Sequence, residues 1–271
     1  AAAAGADVRD GTAVSEVTLV GELVTTRVGG RPVAASYLVG ADGANGVVAR
    51  AAGLGDEIVR GVGLEGNVPW AALDGAAYEG SAWVELGVVP GGYGWVFPKA
   101  DHANLGVGGW LDEGPRLRDH LDRLARRHGV DPAELVGVRG HRLPMRVVGA
   151  PAARGRVLLV GDAAGLVDPL SGDGIYEAFV SAELAARAIV SGRPDEYEAA
   201  LACALDGHAA ASWKAKRAAE RYPRACVWAL RAPGVFGAVS GLLRGEIGHP
   251  RDARGIAQPS LRMLSRLARH A

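Results

Sequence analysis

Cysteine is scarce in this chain and no sign of charge is in excess. Two cysteines occur among 271 residues, and Lys and Arg together equal Asp and Glu, so the formal net charge is zero. Cys203 and Cys226 are widely spaced, which argues against a disulfide framework or a cysteine-based metal site and favours a reducing cytoplasm. The balanced charge creates no overall field for polyanions, so we expect no nucleic-acid partner.

Long apolar runs are also missing. The nearest one, residues 225–243, is interrupted by Arg231, Pro233 and several glycines, so it predicts two short apolar helices, with a membrane-associated hairpin as the alternative. The first residues lack the basic start and apolar core of a signal peptide. They are typical of a last helical turn that ends at Gly5, as if the chain began in mid-domain.

Motifs of several enzyme classes are absent as well. The seven histidines show no ligand spacing such as H-E-x-x-H, so we expect no metal. There is no G-x-S-x-G elbow and no Walker loop, and hydrolase or nucleotidase activity therefore has no support.

The most informative segment that is present is GRVLLVGDAAGLVDPLSGDGIYEAFVSAELAARAI, residues 155–189. Its apolar run Val157 to Val160 predicts a strand buried on both faces, and Asp162 follows at the carboxyl end, where open α/β sheets bind ligands. A glycine-rich loop leads into a helix near Gly174, whose unpaired first amides favour negative charge. The segment predicts a site for an electron-rich, hydroxyl-bearing cofactor; the alternative is an ordinary strand–loop–helix unit. We expect one apolar face on the helix, made of Ile175, Phe179, Ala182, Ala186 and Ile189.

A second strand, in YLVGADGANGVVAR, ends in the same way, with Asp42 next to Gly43. This carboxylate suits hydrogen bonding either to a ribose or to backbone near a pyrophosphate. Upstream, the alternation over residues 14–28 predicts a hairpin that turns at Gly21-Glu22.

Residues 56–150 contain short β-like runs that predict an antiparallel sheet, with one helix over residues 115–128. The string GVGLEG at residues 61–66 formally matches a dinucleotide fingerprint. No buried strand precedes it and Pro69 and Gly75 prevent a following helix, so we interpret it as a glycine-rich strand. In GGYGWVFPKADH, the side chains of Tyr93, Trp95 and Phe97 point to one face of a strand, where they either line an apolar slot or pack in the sheet core.

The last third is alanine-rich, and residues 195–221 predict one long helix. In the final segment, PSLRMLSRLARHA, leucines share one face and arginines lie mostly off it. This pattern predicts either a surface helix that packs on the body of the protein or a basic amphipathic helix on an anionic membrane.

The two Asp-Gly motifs resemble those of the FAD-dependent oxidoreductases related to para-hydroxybenzoate hydroxylase. DPLSGDGI and YGWVFPKADH are most similar to the geranylgeranyl reductase branch, while halogenases carry a W-x-W-x-I-P variant from which Tyr93 and Phe97 differ. The resemblance implies an α/β fold with α+β character. It divides the chain into part of a Rossmann-like FAD-binding domain (residues 1–55 and 151–195), an antiparallel-sheet substrate domain (56–150) and a helical C-terminal region (196–271).

The family usually has serine where this chain has Gly46, so we expect a poorly capped helix start there. The family's N-terminal βαβ unit with its G-x-G-x-x-G loop does not occur in this sequence. We therefore expect these residues alone to hold FAD weakly and to be inactive.

The resemblance implies FAD as the cofactor, reduced by NAD(P)H or a ferredoxin-type carrier. It assigns cofactor contacts to Val14, Asp42, Gly43, Gly161, Asp162, Gly165, Pro169, Gly172, Gly174 and Ile175. It assigns the substrate cavity to Tyr93, Trp95, Phe97 and Pro98, and it names no catalytic residue beyond Tyr93 as a candidate proton donor.

The implied function is hydride transfer from reduced flavin to the double bonds of a prenyl lipid, the expected partner. The implied location is the cytoplasm or the cytoplasmic face of a membrane, which the last helix would contact. Two alternatives remain: an FAD-dependent monooxygenase acting on an aromatic or polyketide substrate, and a non-catalytic fragment that serves as a binding module.

Overall fold

The computed structural model describes residues 1–20, 23–73, 78, 80–231, 234, 236, 237 and 240. The chain forms two compact units, each built from three separate stretches. The first unit comprises Ala1–Ile58, Arg146–Val167 and Gly174–Asp206, and the second comprises Val59–Met145, Asp168–Asp173 and Gly207–Ala271. Each unit has its own hydrophobic core.

The first unit contains two small sheets. An antiparallel sheet has the order β1-β2-β3, and a second sheet has the order β10-β11-β4. In the second sheet β4 and β11 run parallel, with Gly40 opposite Leu159. The strands are β1 (Val14–Val20), β2 (Leu23–Val28), β3 (Arg31–Ala35), β4 (Leu38–Gly40), β10 (Ala153–Arg154) and β11 (Val157–Leu159).

Two sequence predictions for these strands are confirmed. β1 and β2 pair as an antiparallel hairpin, whose predicted turn at Gly21-Glu22 lies outside the described residues. The run Val157 to Val160 forms β11 and its extension, and all four side chains are buried. At the N-terminus, the predicted end of a helix is a 3₁₀ turn, Ala2–Ala4, that stops at Gly5 with a φ of 87°.

The helices of the first unit are α1 (Val48–Ala51), α3 (Ile175–Val190) and α4 (Tyr197–Leu201). The predicted apolar face of α3 is wrong, because Ile175 and Phe179 are 68% and 76% exposed and the buried side carries small or polar residues such as Ser181 and Ala185. The cause is close packing: the Ser181 hydroxyl accepts a hydrogen bond from the Gly161 amide at 3.0 Å. A large side chain has no room on a helix face that approaches the backbone so closely.

The second unit is built on a five-stranded antiparallel sheet of order β6-β7-β8-β5-β9. GVGLEG lies inside β5, which confirms the interpretation as a strand. One face of the sheet packs against α2 (Leu117–Arg127), whose apolar side is buried with Val96, Leu105 and Val107. The strands are β5 (Val59–Pro69), β6 (Trp83–Leu86), β7 (Tyr93–Pro98), β8 (His102–Trp110) and β9 (Val136–Met145).

The helix predicted over residues 195–221 is interrupted. A π-helical turn, Ala202–Asp206, separates α4 from α5 (Gly207–Arg221), and α6 (Pro223–Leu230) follows. No helix in the described ranges has the length and apolar character needed to cross a bilayer. The amphipathic segment predicted at residues 259–271 lies outside the described residues.

Candidate functional site

In the first unit, the two predicted carboxylates follow the two parallel strands. β4 ends at Gly40 and β11 at Leu159, directly opposite one another, and the Val160 amide donates to the Gly40 carbonyl at 3.0 Å. Asp42 and Asp162 therefore come shortly after the carboxyl ends of neighbouring strands. This edge of a parallel sheet is where α/β proteins bind their ligands.

Asp42 caps the helix that follows it. Its Oδ2 accepts hydrogen bonds from the amides of Val47 at 2.6 Å and Val48 at 3.0 Å. A Cβ at Gly46 would clash with the Asp42 carboxylate. The expectation of a poorly capped start for α1 is therefore wrong, because the missing side chain at position 46 leaves room for the aspartate cap. The sequence allowed Asp42 to bind either a ribose or backbone; in the structure its carboxylate accepts from backbone amides.

Asp162 lies at the start of α3. A Cβ at Gly174 would be 3.1 Å from Asp162 Oδ1, so the carboxylate lies against the backbone of the first helical turn. Burial raises the pKa of Asp162. A carboxylate beside helical amides, with glycine in place of larger side chains, suits a ligand with hydroxyl and electron-rich groups.

Glycines shape the backbone between β11 and α3. Gly161 and Gly165 have φ values of 53° and 65°, in the left-handed region that glycine favours. A Cβ at Gly165 would also lie 2.8 Å from Ile58. A side chain at either position would be strained or displaced, so the backbone here is open to close approach by a ligand.

The other cofactor candidates of the first unit are more scattered. Gly43 has a φ of 74° in the turn after β4, and Ile175 is the exposed first residue of α3. Val14 opens β1, in the other sheet, opposite Val28. The structure thus groups the glycines and aspartates at strand ends and gives Val14 no comparable position.

In the second unit, the loop Asp168–Asp173 is closed on itself. The Gly172 amide donates to the Asp168 carbonyl at 2.9 Å, and the Asp168 amide donates to the Asp173 carbonyl at 2.7 Å. Gly172 has a φ of 71°, which permits the tight turn. Pro169 and Gly172, both predicted as cofactor contacts, therefore lie in a loop whose shape is internally fixed.

The Asp168 carboxylate holds this loop from inside. Its Oδ1 accepts from the amides of Leu170 at 3.0 Å and Ser171 at 2.7 Å and from the Ser171 hydroxyl at 2.8 Å. Its Oδ2 lies 3.4 Å from His208 Nε2, an electrostatic contact more than a short hydrogen bond. Burial alone would raise the pKa of Asp168, but the contacts with His208 and Ser171 outweigh it and lower the pKa to about 2.

The Tyr93 hydroxyl fastens the loop to the sheet by donating to the Ser171 carbonyl. Burial, reinforced by the charges of Asp173 and Asp168, raises the pKa of Tyr93 to about 12. Tyr93 therefore stays protonated at neutral pH, with its proton already committed to a carbonyl. This arrangement suits an anchor better than a proton donor.

The predicted aromatic row exists, and it lies on the sheet face opposite the core. The Tyr93–Trp95 and Trp95–Phe97 ring centroids are 5.8 and 6.0 Å apart, and all three rings are half-buried. The intervening Val96 points into the core against α2. The row is therefore an apolar surface and not core packing. Pro98 ends the strand opposite Ala103.

The glycines of β5 and β8 explain why Trp95 lies flat. Gly106 is in register with Trp95, and a Cβ there would clash with the indole ring. At Gly63 and Gly108 a Cβ would lie 3.8 and 3.6 Å from the same ring. The Trp95 Nε1 donates to Asn104 Oδ1 at 2.7 Å. One glycine of the string that resembles a nucleotide fingerprint, Gly63, thus lies under a tryptophan together with Gly106 and Gly108 of β8.

Sequence reasoning missed a titratable pair on this face. Glu65 is in register with Gly106, which is in register with Trp95, so all three share a face of the antiparallel sheet. The Glu65 Oε1 lies 3.2 Å from His141 Nε2 on β9. The signal in the sequence is the two-residue alternation of β5, which puts Glu65 on the same face as Gly63 and therefore on the face of the aromatic row.

Comparison with known proteins shows that the chain is similar to geranylgeranyl reductases. No protein-family model matches it. A chloroplastic geranylgeranyl diphosphate reductase of Oryza sativa subsp. japonica is 38% identical over 159 residues, which are 57% of this chain and 34% of that protein. The chain thus spans about a third of that curated relative's length.

Solved structures agree on the fold. A geranylgeranyl bacteriochlorophyll reductase-like protein of Thermoplasma acidophilum superposes with a TM-score of 0.70 at 27% identity, covering 80% of this chain and 60% of that one. A flavin-dependent brominase, 18% identical, superposes with a TM-score of 0.67 over 96% of this chain and 71% of its own, and shows the fold alone. The predicted α/β class and the resemblance to flavin-dependent oxidoreductases are confirmed.

Proposed function

We propose that this chain, which belongs to the geranylgeranyl-reductase-like family of FAD-dependent oxidoreductases, carries the substrate surface of an enzyme that reduces prenyl double bonds. The observation that carries the proposal is the half-exposed row Tyr93–Trp95–Phe97, in which Phe97 stacks on a Trp95 ring that lies over glycines and Tyr93 is tilted against it. A continuous apolar row fits a flexible hydrocarbon chain and can hold it in a reactive position.

The first unit has residues that fit FAD. Asp162 at the start of α3, and the left-handed Gly161 and Gly165, combine a hydroxyl acceptor with a close backbone approach. Bound FAD would supply hydride transfer, which no side chain in the chain can perform. We propose NAD(P)H or a ferredoxin-type carrier as its reductant, an assignment that rests on the family resemblance. Pro169 and Gly172 stay predictions as cofactor contacts.

For the proton that completes alkene reduction, His141 is a better candidate than Tyr93. Histidine is a common general acid in enzymes, and the His141 ring lies 3.2 Å from Glu65 on the sheet face that carries the aromatic row. Tyr93 has its proton committed to Ser171 and a pKa of about 12. His141→Gln should therefore lower turnover with little change in KM, whereas Tyr93→Phe should retain most of the turnover.

In the same proposal, these residues by themselves bind FAD weakly. Among the described elements no buried strand leads into a G-x-G-x-x-G loop, and the single formal match in the sequence lies within β5. FAD titration followed by flavin fluorescence should show no saturation at micromolar concentrations. Purification of this polypeptide with stoichiometric flavin would overturn this part of the proposal.

An aromatic or polyketide monooxygenase is the second enzyme class compatible with the family fold. Anaerobic conversion of a geranylgeranyl substrate, with two hydrogens gained per reduced double bond, supports the reductase. Oxygen consumption that is coupled to NADPH oxidation and yields a hydroxylated product would support the monooxygenase. Failure of both reactions in a flavin-loaded protein would favour the non-catalytic binding module.

The location proposed with this function is a reducing compartment, the cytoplasm or its membrane face, supported by the two free cysteines. The proposed partner is a prenyl lipid. Membrane contact through residues 259–271 is part of the same proposal, and it rests on the sequence pattern of that segment alone.

A further inference from the structure

The helices α5 and α6 carry an uneven distribution of charge. Residues 207–231 contain six Lys and Arg and one acidic residue, Glu220, so their formal charge is 6 − 1 = +5 in a chain whose total is zero. One cation, Lys216, is buried against Trp110 and lies 3.7 Å from Glu220. The other five are exposed, and we call them the basic stripe: Lys214, Arg217, Arg221, Arg224 and Arg231.

The stripe runs along two consecutive helices. Its members, together with Trp228, succeed each other at alternating intervals of three and four residues, which is the spacing of one helix face. The two helices meet at Tyr222, where the backbone leaves the helical conformation (φ −132°, ψ 56°), although hydrogen bonds from Tyr222 to Ala218 at 2.8 Å and from Cys226 to Tyr222 at 3.0 Å span the junction. The stripe therefore has two parts, Lys214, Arg217 and Arg221 on one face of α5 and Arg224 and Arg231 on one face of α6, which together cover about five helical turns.

The stripe cations lack the carboxylate partners that arginines on other helices have. Arg118 pairs with Asp122, and Arg187 pairs with Glu183, each one turn away. None of the five stripe cations makes an ion pair with a described residue. Arg217 lies 6.0 Å from the Trp213 ring. Unneutralised charge of one sign along two consecutive helices is suited to an anionic partner.

Exposed aromatic side chains accompany the charge. Trp228 lies between Arg224 and Arg231 on the stripe and is 68% exposed, and Phe236 is exposed to the same extent. Tryptophan beside Lys and Arg is typical of residues at a membrane–water interface, where the ring inserts among head groups and the cations remain at the anionic surface. A nucleic acid would use the same charge, but the exposed tryptophan within the stripe favours a lipid surface.

We propose that the basic stripe with Trp228 is a docking surface for an anionic lipid bilayer. The surface is distinct from the C-terminal segment 259–271 and from the aromatic row of the sheet. Docking there would keep the protein at the membrane in which prenyl lipids dissolve, but the inference needs no flavin and no turnover.

The test is co-sedimentation of the full chain with vesicles of phosphatidylcholine and phosphatidylglycerol at three to one, compared with pure phosphatidylcholine. We expect binding to the anionic vesicles only, weakening as salt is raised from low to physiological concentration. Replacing Arg217, Arg221 and Arg224 by Gln should weaken partitioning more than about tenfold, since each cation near an anionic surface contributes about fivefold. Trp228→Ala should weaken partitioning to the anionic vesicles at both low and physiological salt.

The matched control replaces three exposed arginines elsewhere, Arg31, Arg126 and Arg193, by Gln and should bind as the unchanged chain does. Circular dichroism of all variants establishes that they are equally folded. Equal binding to neutral vesicles, equal loss in the control, or no loss in the stripe variant would overturn the proposal. Binding of a single-stranded RNA without binding of anionic vesicles would also overturn it. None of these results bears on the flavin-dependent activity, so the two proposals fail separately.

Discussion

Among single residues, Tyr93 has the clearest structural task, because its hydroxyl is the link between β7 and the loop Asp168–Asp173. Tyr93→Phe should leave the Ser171 carbonyl without this donor and cost about 1 kcal/mol of unfolding free energy. Hydrogen exchange should speed up at the amides of Leu170 to Gly172 in particular. Tyr176→Phe, at an exposed tyrosine, is the control, and equal exchange rates in both variants would contradict the anchoring role.

Asp168 gives a prediction with a defined pH range. Its pKa is lowered from 3.8 to about 2 in the folded protein, so its contribution to stability is present above pH 4 and is lost as the pH falls through 2. That contribution is about 2 kcal/mol, and Asp168→Asn should lose it at pH 7. In urea unfolding, the difference in unfolding free energy between the variant and the unchanged chain should become smaller as the pH falls from 4 to 2.

The control for Asp168 is Asp122→Asn, which removes a surface ion pair with Arg118 and should cost well under 1 kcal/mol. If Asp168→Asn differed from the unchanged chain by the same unfolding free energy at pH 7 and at pH 2, the contacts of the Asp168 carboxylate would not stabilise its charged form.

The sequence predicted the position of a residue correctly where that position depends on the residues next to it in the chain. The positions of Asp42 and Asp162 after strand ends follow from the apolar runs that precede them. The partner of Asp42 did not follow, because it depends on the space that Gly46 leaves four residues later. Asp168 was also overlooked as a site residue, since its role comes from a loop that closes on itself.

At the scale of elements, the glycines under Trp95 make a direct prediction. Gly106→Ala should displace the Trp95 ring and cost about 1–3 kcal/mol through overpacking, with a changed near-ultraviolet circular dichroism. Gly140→Ala, on the edge strand β9 of the same sheet, is the matched control, because a Cβ there meets nothing closer than 3.7 Å. If the two variants unfolded at the same denaturant concentration and kept the same spectrum, Gly106 would have no such role.

The sequence predicted the strands more accurately than the helices. The buried strand β11 and the glycine-rich β5 follow from apolar runs and from the failure of a helix to follow. The face of α3 could not be predicted from hydrophobicity, because the close approach of Ser181 to Gly161 selects small residues for the buried side. The π turn at Ala202–Asp206 has no signal in the spacing of apolar residues.

At the scale of the whole molecule, the sequence contained the family and the fold class but not the assembly of the units. The loop Asp168–Asp173 belongs to the second unit, although both of its flanks belong to the first. A division by position along the chain cannot show this, since it arises from contacts between segments far apart in sequence, such as Tyr93 with Ser171. The predicted domain boundaries stay a prediction.

The central claim is that this chain carries the substrate surface of a prenyl-reducing flavoenzyme. The most direct measurement takes the gene product that contains the chain, loads it with FAD, photoreduces it without oxygen and adds geranylgeranyl diphosphate. Flavin reoxidation is followed by absorbance and the product by mass spectrometry. We predict reoxidation only with the prenyl substrate, two hydrogens gained per reduced bond, and at least about tenfold slower reoxidation in Trp95→Ala. A flavin that stays reduced with the prenyl substrate, and reoxidises only when oxygen is admitted, would contradict the account.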